Sequence, residues 1–255
     1  MWPPSSSSNN KSSISDIFKK PLRGAFFVGP ARLQKKKAEL IAAHTFAAVK
    51  KSGAPLVVGM AGSSGSGKTT VLRALRSAFP EGEIAVVSQD NYYLPRHLQL
   101  VDERGVTNFD RPESIDLIEF SHDLMLLIAG QTIEQKEYTY NNPDAAPNII
   151  SVSSAPIIVV EGLFVFHYPE TDALLDLRVF IMADDQVSLA RRIKRDTAER
   201  GYPESDVRYR WEHHVRPAYE QYLLPHLSRC DVVIHNNANY AEDLAGLVQI
   251  LKDNE

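Results

Sequence analysis

One cysteine, Cys230, stands among 255 residues, so no intrachain disulfide framework can form and no cysteine-based metal cluster is available. Its place beside the last apolar run predicts a buried, unreactive thiol. No apolar stretch approaches the ~20 residues that span a bilayer. Nor does any segment combine positive charge, an apolar core and a small-residue cleavage site. The expectation is a cytoplasmic protein with no membrane partner. Charge of one sign is not in excess either: 28 Lys and Arg face 32 Asp and Glu, a net charge of −4. That balance removes the global basic field that would call for nucleic acid. Arginine is absent from the first 16 residues and Asp16 is present, which argues against a mitochondrial transit segment. Metal-ligand spacing is also lacking. His213 and His214 are adjacent, so on a helix they point about 100° apart and cannot easily share one ion.

The remaining composition, 44% apolar and 24% charged, is that of an ordinary globule. Residues 1–16 are Ser-rich with Pro3 and Pro4 and are expected to be disordered. Residues 17–53 read as an extension carrying an amphipathic helix. Leu33, Leu40 and Ala47 recur at seven, with Ile41 and Ala48 widening the stripe. Lys35, Lys36 and Lys37 form a solvated face.

Residues 54–255 hold the chemistry. Gly62-Ser63-Ser64-Gly65-Ser66-Gly67-Lys68-Thr69 fits G-x-x-x-x-G-K-[ST], a phosphate-binding P-loop. The apolar run Pro55–Met60 before it reads as a buried strand, and a helix with Val71, Leu72 and Leu75 follows. Gly62, Gly65 and Gly67 let consecutive backbone N–H groups, Ser63 and Ser66 included, turn toward one anion. The helix N-terminus at Lys68, Thr69 and Thr70 adds partial positive charge. Lys68 would reach the β- and γ-phosphates of ATP or GTP, and the Thr69 hydroxyl would ligate Mg²⁺.

Further strands are expected over 84–90, 156–162, 177–182 and 231–235, and helices over 113–127, 185–200, 204–227 and 239–252. Pro217 should bend the third of these helices, whose Val207, Trp211 and Val215 share a core face. Short alternating runs over 132–153 suggest a β-hairpin that would serve as a substrate subdomain. The fold class is therefore α/β: a P-loop NTPase fold with a five-stranded parallel sheet, helices on both faces, a small β-hairpin and a helical lid over 185–202.

Ligands of such sheets sit beyond the carboxyl ends of the strands, where Lys68, Asp90 and Glu161 should converge. Asp90 could accept the proton of an acceptor hydroxyl or hold a metal-bound water. Glu161 is placed like a Walker B acid, at the Mg²⁺ shell. Arg192 and Arg195 share a helical face, and guanidinium forks suit phosphate oxygens. The commoner fate of such a run is a solvated face paired with Asp196 and Glu199.

The set closely resembles the uridine kinase family of P-loop kinases, related to phosphoribulokinases and pantothenate kinases. The resemblance spans about residues 55–253. It rests on the P-loop, Asp90-Asn91-Tyr92-Tyr93, Asn108-Phe109-Asp110-x-Pro112, Tyr138, Val160-Glu161-Gly162, and Arg191-Arg192-x-x-Arg195-Asp196-x-x-Glu199-Arg200-Gly201. It implies transfer of the γ-phosphoryl of ATP or GTP to the 5′-hydroxyl of uridine or cytidine. Asp90 would be the base and Asp110 would bind the ribose hydroxyls. Tyr93, Phe109, Tyr138 and Tyr140 would border the nucleoside. Arg192, Arg195 and Arg200 would fall at lid and phosphate positions. The resemblance also implies a homotetramer.

The acceptor half departs from the pattern. Pro143 stands where a base-reading His is expected and Ala145 where an Arg is; the Arg-Gly-Arg step is Arg200-Gly201-Tyr202, and Arg210 replaces a Gln. Proline has no side-chain donor, so that base contact cannot be made in the same way. Another alcohol, such as a sugar phosphate or hydroxy acid, therefore stays open as acceptor. A nucleotide-binding regulatory protein is the alternative of another class. Asp102-Glu103-Arg104-Gly105 has the Asp-x-x-Gly form of a GTPase step, but no guanine-reading Asn-Lys-x-Asp accompanies it.

Overall fold

The computed structural model describes residues 53–139 and 146–254. The Ser-rich tail, the helix expected over 31–52, and Tyr140, Pro143 and Ala145 lie outside the described residues.

Apolar runs without polar alternation demand burial on both faces, and the chain builds one sheet from five of them. These are β1 (Leu56–Gly62), β2 (Ile84–Ser88), β5 (Ile157–Gly162), β6 (Leu177–Met182) and β7 (Val232–His235). Their order is β2-β5-β1-β6-β7, and every neighbouring pair is parallel. Two shorter strands, β3 (Ile133–Lys136) and β4 (Ile149–Val152), pair antiparallel outside it, with Ile133 opposite Val152.

The period-2 geometry of strands divides the core in two. On one face, Val57 and Ala61 of β1 and Ile158 and Val160 of β5 pack with Phe120, Leu124 and Leu127 of α2 (Leu117–Ile128). On the other, Val58, Met60, Ile157 and Val159 pack with Val71, Leu72 and Leu75 of α1 (Lys68–Arg76) and Leu247 and Leu251 of the closing helix (Ala241–Asp253). Asp116 caps α2, its carboxylate accepting from the Ile118 and Glu119 N–H groups at 3.2 and 3.1 Å, a contribution of ~1 kcal/mol.

Two expectations needed correction. The second strand stops at Ser88, and Gln89–Tyr92 forms a 3₁₀ turn, so Asp90 stands on a turn beyond the strand rather than at its tip. The reading over 204–227 is also not one regular helix. An α-helical stretch, Glu204–Arg210, runs into turns closed by i→i−5 hydrogen bonds, Arg216 N–H to Trp211 O and Leu224 N–H to Tyr219 O. Pro217 sits between these widened turns, where its missing N–H removes a regular i→i−4 bond. Val207, Trp211 and Val215 nonetheless share a buried face.

Candidate active site

The P-loop starts where β1 ends. Gly65 and Gly67 adopt positive φ of 82° and 93°, a region that penalises side chains. Space forbids them as well: a Cβ on Gly65 would stand 2.3 Å from the Ser188 carbonyl oxygen, and one on Gly67 would meet the Asn236 amide at 2.1 Å. The loop is thus clamped between the lid helix and the turn after β7. Asn236 Nδ2 donates to Ser66 O at 2.8 Å, and Arg191 Nη1 donates to Asn236 O at 2.8 Å. Asn236 was not singled out from sequence, and Arg191 was quoted only within the basic run; a contact 170 residues apart carries no local signal.

Lys68 opens α1, with Thr69 and Thr70 exposed behind it. Its ammonium donates to Gly62 O at 2.9 Å, folded back across the loop. Burial pushes its pKa down, while the carboxylates of Glu161, Asp90 and Asp110 act against that and Arg195 adds to it. Four groups from four separate segments therefore lie within electrostatic reach of one ammonium.

Glu161, at the end of β5 and paired in register with both Met60 and Ser88, is buried. It accepts from Ser88 Oγ at 2.5 Å. Burial raises its pKa, Asp90 raises it further, and Lys68 and the Ser88 hydrogen bond oppose the rise. A buried carboxylate of this kind gains from a cation. The Thr69 hydroxyl and the Asp90 and Glu161 carboxylates are hard oxygen donors of the kind that suits Mg²⁺. Among the described residues, no three His, Cys, Asp or Glu side chains group so as to hold a metal alone.

Near these acids three rings pack together, with Asp90 acting on the Tyr138 hydroxyl. Tyr93 lies 5.6 Å from Phe109 and 5.2 Å from Tyr138, and Phe109 lies 6.2 Å from Tyr138, between centroids. Asn91 assembles the cage. Its amide donates to Gln135 Oε1 at 2.5 Å and accepts from the Tyr138 N–H at 3.1 Å, tying β3 to the turn that carries Asp90. Burial raises the Tyr138 hydroxyl to about 12, with Tyr202 and Asp90 adding to the rise and Arg96 and Arg200 opposing it. Asp110, buried beside Phe109, completes this half of the pocket.

Helix α3, where the lid was expected, spans Asp185–Glu199. Buried Asp196 takes two of its arginines, Arg195 Nε at 2.8 Å and Arg192 Nε at 3.3 Å, and the capping Arg200 Nη1 at 3.3 Å. The pairing foreseen with Asp196 is present, on a buried rather than a solvated face. Gly201, at φ 68°, ends the helix, and Tyr202 N–H returns to Asp196 O at 3.1 Å.

Four other residues fall outside the site. His213 is exposed while His214 is buried, its Nε2 2.7 Å from an Asp102 oxygen. Asp102 faces the helical segment rather than the P-loop. Cys230 is half-buried, its thiol donating to His226 O at 3.3 Å, and burial raises its pKa to about 11.

A parallel sheet ordered around a P-loop strand, with a lysine and acids at its carboxyl end, defines the class of P-loop kinases. The sequence profile of the Phosphoribulokinase / Uridine kinase family matches residues 57–241, and the chain belongs to that family. With the family it is a phosphotransferase whose acceptor is an alcohol. A uridine kinase of Alkaliphilus metalliredigens is 33% identical over 180 residues, covering 71% of this chain and 86% of that protein. One from Streptococcus gordonii is 32% identical over 185 residues, covering 72% and 88%. Among solved structures, a D-glycerate 3-kinase from Cryptococcus neoformans superposes with TM-score 0.52 at 15% identity, covering 84% of this chain and 98% of that one. A putative fructose transport system kinase from a Silicibacter species gives TM-score 0.51 at 17% identity, over 76% and 93%. These two share the fold. No helix among the described residues is long and apolar enough to cross a membrane.

Proposed function

We propose that the protein transfers the γ-phosphoryl group of ATP to the 5′-hydroxyl of a pyrimidine nucleoside such as uridine or cytidine. The observation that carries this reading is the nearness of two groups of side chains. Glu161, Asp90 and Asp110 act on the Lys68 ammonium, and Asp90 also acts on the Tyr138 hydroxyl of a ring cluster formed with Tyr93 and Phe109. In the proposed reaction, the acceptor oxygen forms a bond to the γ-phosphorus as the bond to the β–γ bridging oxygen breaks and ADP departs. The hydroxyl proton goes to Asp90. Lys68 and the P-loop N–H groups hold the phosphates. Arg192, Arg195 and Arg200 offset charge on the transferring group once they exchange Asp196 for phosphate oxygens. Thr69 and Glu161, with Asp90 nearby, would hold Mg²⁺, which would supply neutralisation of phosphate charge. Asp110 would accept from the ribose diol, and the rings would enclose the base.

A second acceptor class, a sugar phosphate or hydroxy acid, draws support from Arg210, whose guanidinium lies 5.3 Å over the Tyr202 ring. Homotetramer formation, use of GTP and residence in the cytoplasm belong to the same family-based proposal. Incubation with Mg²⁺·ATP and uridine, with the product identified by ³¹P NMR, tests the reading. Uridine 5′-phosphate is expected; no nucleotide product from uridine or cytidine overturns the pyrimidine assignment.

A further inference from the structure

A second concavity opens beside the ring cage. Arg96, Arg104, Gly105, Val106, Thr107, Asp206, Tyr209 and Arg210 line a cleft of about 340 Å³. Its charge is lopsided: three guanidinium groups against the single Asp206 carboxylate, with Asp102 already committed to its own donors. Clefts lined by one sign of charge focus the field and draw counter-ions.

The three arginines are set in place by separate contacts. The Arg104 guanidinium lies 4.9 Å over the Tyr209 ring, and its backbone N–H donates to Asp102 at 2.9 Å. Arg210 Nη1 donates to Thr107 O at 2.7 Å, while its buried Nε has no hydrogen-bond partner. Tyr209 is fixed by its hydroxyl, which donates to Asp102 at 2.7 Å. A partly buried guanidinium with an unanswered N–H is a costly arrangement unless an acceptor arrives.

The cleft also adjoins the acceptor pocket. Thr107, which lines it, is two residues from Phe109 of the ring cage, and Arg96 acts electrostatically on the Tyr138 hydroxyl. Planar forks favour tetrahedral phosphate oxygens, which can be met by several N–H groups at once.

We propose that this cleft is a binding site for a phosphate monoester, held by Arg96, Arg104 and Arg210 next to the acceptor pocket. The site does not depend on the acceptor being a nucleoside. The phosphate could be carried by the acceptor alcohol itself or by a separate small molecule.

The test uses the full chain saturated with Mg²⁺·AMP-PNP, so that the P-loop and γ-phosphate positions are filled. Inorganic phosphate is titrated at constant ionic strength while arginine Nε–Hε resonances are followed by NMR. Saturable, one-site shifts of a few arginine resonances are expected. Arg96→Gln and Arg104→Gln should each weaken binding about tenfold, and together abolish it, with AMP-PNP affinity unchanged. Arg96 stands exposed in a short 3₁₀ turn, so its single variant reads the site even where the double variant folds poorly. Shifts that rise linearly without saturation, or variants that bind phosphate as the parent does, overturn the proposal. Adding uridine separates the sources: displacement of phosphate marks the cleft as the outer end of the acceptor site, and simultaneous binding marks a separate ligand.

Discussion

At the scale of single residues, the account turns on charges that share little volume. Lys68 and Glu161 are shifted in opposite directions by the same cause, burial, and each is the other's partial remedy. Asp90 enters both environments and is only half-buried, which fits the proposed role of meeting the acceptor hydroxyl. Replacing it by Ala should therefore spare nucleotide binding and remove the proton acceptor. A drop in kcat of about 10²–10⁴-fold with little change in ATP affinity is expected for Asp90→Ala. Steady-state kinetics beside a nucleotide titration reads both, and retained turnover would dismiss Asp90 as base. These side chains were legible because each lies within a few residues of the end of an apolar run: Glu161 directly after one, Asp90 on the turn beyond one, and Lys68 after the P-loop. Their contacts were not: Asn91, Asn236 and Arg191 reach partners 44 to 170 residues away that no local pattern announces.

Among the elements, the irregular stretch 94–107 is held less by packing than by one carboxylate. Leu98, Leu100 and Val101 are exposed, so apolar burial contributes little there. Asp102 instead takes Tyr209 Oη at 2.7 Å, the Val106 N–H at 2.8 Å and the Arg104 N–H at 2.9 Å, and lies 2.7 Å from His214 Nε2. Desolvation alone would raise its pKa, but these donors overcome it and hold the carboxyl well below the ordinary range. A depressed folded-state pKa means that the stabilisation is complete above the unfolded value, about 3.9, and is lost as pH falls through the folded one. Asp102→Asn should therefore lower the Tm at neutral pH, with the gap to the parent narrowing below about pH 4. Differential scanning calorimetry across that range checks it; a gap independent of pH would remove the charge from the explanation. The strands of the sheet were readable from apolar runs because burial on both faces leaves no polar alternation. The 3₁₀ turn at Gln89–Tyr92 and the widened turns near Pro217 were not, since their hydrogen bonds depend on what packs against them.

For the whole molecule, the parallel order β2-β5-β1-β6-β7 places the P-loop strand at the centre, so that the ends of β1, β2 and β5 open on one crevice. The antiparallel pair β3–β4 reaches the same crevice through the Asn91 amide, and the lid helix through Arg191. The residues proposed to hold donor phosphates, acceptor and metal thus come together from distant stretches of chain. The most direct test of that claim is acceptor-dependent ADP release from Mg²⁺·ATP across nucleosides, sugar phosphates and hydroxy acids, measured with parent and Lys68→Ala proteins. One ADP per phosphorylated alcohol, abolished in the variant, is the result the account predicts. ATP binding without acceptor-dependent turnover on any alcohol would contradict it and favour a regulatory nucleotide-binding role.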